Sequence, residues 1–126
     1  MRLVVDTSAV IAVLRMEPGA ERIAGRLQGA AISAVNFAEL MTYGVRGGSD
    51  PEEFRTDVES LKMSVQAFDQ RAAVVTGNLA ASTRRFGLSL GDRACLALAK
   101  ILKGQVVTAD RVWAKLDLGI SVEVIR

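Results

Sequence analysis

The sequence predicts a single α/β domain with a mainly parallel central sheet flanked by helices. Short β-rich apolar runs alternate with helix-like segments along the whole chain, the pattern of a parallel sheet with helical crossovers. At 126 residues there is room for one core. Half the residues are hydrophobic and only 5% are aromatic. The core is therefore mostly Ala, Val, Leu and Ile, a composition that suits helices packed on a buried sheet.

Leu3-Val4-Val5 reads as a buried strand. Asp6-Thr7-Ser8 follows it, and these three good capping residues open a helix through Leu14. Pro18-Gly19 is expected to start a second helix, running to about Leu27 and closed by Gly29. Ala30 to Ser33 is the next strand, followed by a helix from Val35 to about Arg46 that stops at Gly47-Gly48. Asp50-Pro51-Glu52-Glu53 combines a cap, a first-position Pro and first-turn acids, so a helix should run from there to about Lys62. Ser64 to Phe68 is a third strand. Asp69 caps what reads as the longest helix, Gln70 to Phe86, with Ala72, Val75, Leu79 and Phe86 near one face. Gly87 to Gly91 reads as a loop. Asp92 then opens a helix to Lys103 that is apolar on nearly every side and so should be central and buried. Gln105 to Thr108 is a strand, Asp110 to Lys115 a helical turn, and Ser121 to Ile125 the last strand.

Net charge is +2, with twelve Arg against four Lys. Arg suits bidentate phosphate contacts, although a GC-rich genome gives the same bias. There is no histidine, and Cys95 is the only cysteine. An intramolecular disulfide, a His/Cys zinc site and a Ser-His-Asp triad are thereby excluded. The single thiol fits a reducing cytoplasm. Asp6 interrupts the first apolar run, so no secretory signal is read, and no uncharged stretch reaches the roughly 18 residues that span a bilayer.

The chemistry must then rest on carboxylates. In open α/β sheets, ligands bind beyond the carboxyl ends of the strands. Asp6 ends the first strand and Asp110 lies two residues past Gln105–Thr108, so both should sit over the same sheet edge. Glu39, on an early turn of its helix, and Asp92 follow connections that should reach that edge too. Glu39 has apolar neighbours on both sides in Val35-Asn36-Phe37-Ala38-Glu39-Leu40-Met41, and Asp92 precedes the most apolar helix. Charges in such places are costly unless paired or metal-bound. Four converging carboxylates repel one another. An all-oxygen set that relieves this with a cation selects a hard ion such as Mg²⁺ or Mn²⁺. Each acid also has a plain structural reading: Asp6 and Asp92 as helix caps, Asp110 as a turn residue, Glu39 as a solvated side chain or an Arg partner. The functional case rests on the set.

Four segments, in this order, make a specific signature: Val5-Asp6-Thr7-Ser8-Ala9, Ser33-Ala34-Val35-Asn36-Phe37-Ala38-Glu39-Leu40, Leu88-Ser89-Leu90-Gly91-Asp92-Arg93 continuing to Ala99, and Val107-Thr108-Ala109-Asp110-Arg111-Val112-Trp113. With them the chain, over nearly all of residues 1–126, resembles the PIN-domain family, and within it the VapC toxins of bacterial VapBC toxin–antitoxin pairs. The resemblance implies a Mg²⁺- or Mn²⁺-dependent endoribonuclease whose four acids are Asp6, Glu39, Asp92 and Asp110. Asp6 and Asp92 are then the most direct metal ligands, with Thr7 or Ser8 beside the metal and Thr108 supporting Asp110. It also implies a VapB-like antitoxin that inhibits the enzyme, a homodimer, and a heterotetramer or larger complex with the antitoxin. Water activated by the metal would attack phosphorus in line, leaving 5′-phosphate and 3′-hydroxyl ends.

Arg93, Arg111, Arg84 and Arg85 are candidate phosphate contacts, with acid pairing, solvent exposure or helix-end placement as their bland readings. Cys95 is expected in the core, without a His to activate it, and Trp113 as a packing anchor. Other phosphate chemistry on a similar fold fits poorly. A haloacid-dehalogenase-type phosphatase needs an Asp two residues after Asp6, where Ser8 stands, and no Gly-rich phosphate loop follows the first strand. A phospho-acceptor signalling domain needs a mid-chain Asp after a strand and a Lys after a late strand, and no such pair fits that role here. A non-catalytic binding module, with the acids kept only as caps, differs from the nuclease in needing no metal. DNA cleavage by the same acids is a further alternative.

Overall fold

Five short strands form one sheet in the computed structural model, which describes residues 1–126. They are β1 (Leu3–Val5), β2 (Ala31–Ser33), β3 (Ser64–Gln66), β4 (Gln105–Thr108) and β5 (Ser121–Val124). Their order is β3-β2-β1-β4-β5, and every pairing is parallel. The centre is β1, in register with β4 through Leu3–Gln105, Val4–Val106 and Val5–Val107. Both strands are covered on both faces, so they read as continuous apolar runs rather than alternating ones. Side chains of one strand point to opposite faces. Val4 and Val106 therefore join one core cluster, while Val5 and Val107 join the other.

Against the Val5 face lie α1 (Thr7–Leu14), α2 (Ala34–Arg46) and α3 (Pro51–Glu59), which supply Ala9, Val10, Ala12, Leu40 and Val58 to a cluster with Ile23, Leu27 and Ile32. Against the Val4 face lies α6 (Leu90–Leu102), whose residues from Ala94 to Ala99 are all buried, packed with α4 (Gln70–Asn78), Leu79 and Trp113. A short α5 (Ala80–Thr83) completes the helices. The expected parallel sheet flanked by helices, the buried central helix and the packing role of Trp113 are all present.

Four local expectations are corrected. Pro18 to Leu27 forms no α-helix but two 3-10 turns, Ala20–Arg22 and Ala24–Arg26. Gly19 sits at φ +94°, outside helical space, with its α-carbon against the Ile125 carbonyl where a β-carbon would collide. The helix from Pro51 ends at Glu59 rather than Lys62, which takes a positive φ of 56°. The long helix Gln70–Phe86 is three pieces, broken at Leu79 and finished by a 3-10 turn at Arg84–Phe86. Finally, α6 begins at Leu90, so the Gly87–Gly91 loop is shorter than expected. Ser89 is its cap, and Asp92 is the third helical residue, not the cap.

Candidate active site

The carboxyl ends of β1 and β4 place Asp6 and Thr108 side by side. Asp6 caps α1, its Oδ1 accepting from the Ala9 amide at 2.9 Å, and it is only 4% exposed. The Thr108 hydroxyl donates to Asp6 Oδ2 at 2.6 Å, and Ser8 Oγ lies 2.8 and 2.9 Å from the two carboxylate oxygens. Thr108 Oγ1 also accepts from the Asp110 amide at 3.0 Å, and Ser8 Oγ accepts from the Ala109 amide at 3.0 Å. Two hydroxyls thus lock the turn carrying Asp110 onto the turn carrying Asp6. Asp110 then caps the 3-10 turn Arg111–Lys115 through the Val112 amide at 3.0 Å.

A second network holds Glu39. Its Oε1 accepts from the Thr7 hydroxyl at 2.6 Å and from Asn36 Nδ2 at 2.8 Å. Asn36 Nδ2 also donates to the Gly91 carbonyl at 3.1 Å, tying α2 to the first turn of α6. Gly91 leaves room for the Glu39 carboxylate where any β-carbon would collide with it. The next residue, Asp92, accepts from the Ser89 amide at 3.0 Å while its own amide donates to Ser89 Oγ at 3.2 Å, a reciprocal capping box.

The acids sense one another. Burial pushes the Asp6 carboxyl up from 3.8 to about 6 against the lowering effect of its hydrogen bonds, and the negative charge of Asp92 adds to the rise. Asp92 is also raised, by burial and then by the charges of Glu39 and Asp110. Ion pairs elsewhere join Arg15 and Arg126 to Glu17, Arg26 to Glu123, and Arg55 to Glu52 and Glu59; none reaches the four acids. The structure therefore brings Asp6, Glu39, Asp92 and Asp110 to one sheet edge with no cationic side chain among them. It does not close them into a cage: no three acidic groups enclose an ion as they stand, and each accepts from its own amide or hydroxyl donors. The donor chemistry, all carboxylate oxygen with uncompensated negative charge, fits a hard divalent cation.

Of the residues beside the acids, Thr7 contacts Glu39 and Ser8 contacts Asp6. Arg93 is turned back, donating from Nη1 to the Thr76 carbonyl at 3.0 Å, and Arg111 Nε donates to the Arg126 carbonyl at 3.2 Å. Arg84 and Arg85 are exposed. Burial and the nearby acids push the Cys95 thiol well above its usual value, so it stays an inert thiol in the core. Sequence reasoning missed Asn36, Gly91 and Ser89. Asn36 is 1% exposed, and its Oδ1 has no hydrogen-bond partner although it is buried beside the site.

The family model described as PIN domain matches residues 3–118. The chain belongs to the PIN-domain family. Solved structures similar to this PIN domain include DNA-bound VapBC from Salmonella typhimurium, at 24% identity, covering 100% of this chain and 99% of that one, with a TM-score of 0.76. VapBC-1 from nontypeable Haemophilus influenzae is 20% identical, with 98% of each chain covered and a TM-score of 0.76. VapBC2 from Rickettsia felis, bound to a fragment of its promoter DNA, is 19% identical with full coverage of both chains and a TM-score of 0.74. No curated protein matches the sequence. No helix of this PIN domain is long and apolar enough to cross a membrane.

Proposed function

We propose that this PIN domain is a Mg²⁺- or Mn²⁺-dependent endoribonuclease, the toxin of a VapBC-type pair, held inactive by a VapB-like antitoxin. The observation that carries the reading is the four-acid edge: carboxylates from the cap of α1, from α2, from α6 and from the turn after β4, mutually repelling and without a cationic partner. A purely structural set of caps has no need to share one edge.

Asp6 and Asp92 would hold the ion most directly, with Glu39 and Asp110 completing the set. A bound Mg²⁺ or Mn²⁺ supplies the Lewis acidity that activates water and stabilises charge on the phosphoryl oxygens. Thr108 and Ser8 fix the Asp6 oxygens, and Thr7 and Asn36 fix Glu39, so the donors are oriented before substrate arrives. Water rather than the ribose 2′-hydroxyl is the nucleophile, so products carry 5′-phosphate and 3′-hydroxyl ends. We take the cytoplasm as its compartment, a reading that the single free cysteine supports. The VapBC relatives support the antitoxin partner, and we assign the chain a homodimer and a heterotetramer or larger assembly with antitoxin.

The test is the end chemistry of RNA cut by purified protein. Ends labelled by kinase only after phosphatase treatment, produced with Mg²⁺ or Mn²⁺ and absent in chelator, are expected. A 2′,3′-cyclic phosphate, or cutting that persists in chelator, contradicts the mechanism. Cleavage of DNA but not RNA contradicts the substrate assignment.

A further inference from the structure

We infer that Arg84 and Arg85 form a docking surface for the phosphodiester backbone of the RNA strand being cut; the inference rests on the nuclease reading and names where its substrate is gripped. The two side chains line an open cleft of about 690 Å³ with Ala81 and Ser82, on α5 and the 3-10 turn that follows it. They are adjacent like charges, and neither has a carboxylate partner, a state they share with Arg2, Arg22, Arg46 and Arg71 but without those residues' separation along the chain. Neither guanidinium donates to a protein acceptor, unlike those of Arg93 and Arg111. The Arg85 guanidinium lies 4.9 Å from the centre of the Phe86 ring, which limits its freedom before any ligand arrives.

Position makes this cleft more than a basic patch. After Phe86 the chain needs only Gly87 and Leu88 to reach Ser89, whose amide holds the Asp92 carboxylate. Four residues of chain span at most about 14 Å, so the Arg85 α-carbon lies within that distance of the α-carbon of Ser89, the residue that holds Asp92. The acid edge repels a polyanion. A cationic shoulder beside it draws the strand in and offsets that repulsion. Guanidinium forks match phosphate oxygens, and two of them give a grip that does not depend on base identity. The lining has a single apolar side chain, Ala81, so it offers nothing to anchor a protein helix and fits a backbone of repeating phosphates.

The experiment measures binding of a labelled single-stranded RNA of mixed sequence in chelator, across a salt series, together with KM and kcat for cleavage in Mg²⁺ or Mn²⁺. The double variant Arg84→Ala/Arg85→Ala is compared with wild type, with Arg84→Lys/Arg85→Lys, and with Arg22→Ala as an exposed control. Each phosphate contact on a single strand contributes about 0.7 to the slope of log affinity against log salt, so the alanine pair should be shallower by roughly 1.4. Its KM should rise more than its kcat falls, the lysine pair should keep most of the slope, and Arg22→Ala should match wild type. An unchanged slope and KM in the alanine pair overturn the inference and leave the nuclease reading intact. Loss of affinity for a protein partner alone, with RNA binding unchanged, also overturns it. An Arg-dependent slope in a wild-type protein that never cuts supports the docking surface and overturns the nuclease reading. Wild type that neither binds nor cuts RNA overturns both.

Discussion

Replacing Asp6 by Asn should stabilise the metal-free protein at neutral pH while abolishing its activity. In the folded chain burial pushes the Asp6 carboxyl up to about 6, against 3.8 for an unperturbed aspartate. Between those values the native state binds more protons than the unfolded one. Stability is therefore highest below about pH 4, falls as pH rises through the window, and levels off above about pH 6. At about 1.4 kcal/mol per pH unit, a rise from 3.8 to about 6 corresponds to roughly 3 kcal/mol lost by wild type at neutral pH. Asn keeps the Oδ1 acceptor for the Ala9 amide, and the Thr108 hydroxyl can turn to accept from the new amide. The variant thus escapes most of that cost. For a domain of this size the gain in Tm is about 10 °C. Thermal and urea denaturation in chelator, from about pH 4 to neutral, measures it. The gap between variant and wild type should open as pH rises, and adding Mn²⁺ should stabilise wild type only. A variant equally or less stable than wild type at neutral pH in chelator would refute the claim that the buried carboxylate is an uncompensated charge.

Gly91→Ala puts a methyl group into the Glu39 carboxylate; we expect a loss of about 1–3 kcal/mol in stability and a fall in cleavage of at least tenfold, checked by denaturation and single-turnover assay. Thr108→Val removes the 2.6 Å hydrogen bond to Asp6 and strands the Asp110 amide, costing about 1–3 kcal/mol, whereas Thr108→Ser should retain the fold's stability and most of the activity. The complex with the antitoxin should cut RNA far more slowly than the free protein, and equal rates would sink the inhibitory role.

The strands and the caps were legible because each is a local property. Leu3-Val4-Val5 and Gln105 to Thr108 are apolar runs ended by polar residues, and Asp6, Asp50 and Asp69 all cap helices as their residue types suggest. That Asp6 and Asp110 share an edge was legible because both follow strand ends, whereas Glu39 and Asp92 lie inside helices and were read from their apolar surroundings and the resemblance. Failures came where tertiary contacts decide. Nothing local says that Gly19 must fit against Ile125, or that the helix after Asp69 breaks at Leu79. Asp92 was placed as a cap although Ser89-Leu90-Gly91-Asp92 carries the capping-box pattern two residues into the supposed loop. Asn36 was readable too: a poor helix former inside an apolar helix, three residues before Glu39, it needed a reason to be there.

The measurement that bears most directly on the account is cleavage of total cellular RNA by purified wild type, Asp6→Asn and Asp92→Asn protein in parallel, with Mg²⁺ or Mn²⁺ and with chelator. The account predicts defined cuts by wild type that vanish in chelator and in both folded variants. Cuts that survive in either variant, or no cuts at all from folded, partner-free wild type, would contradict it.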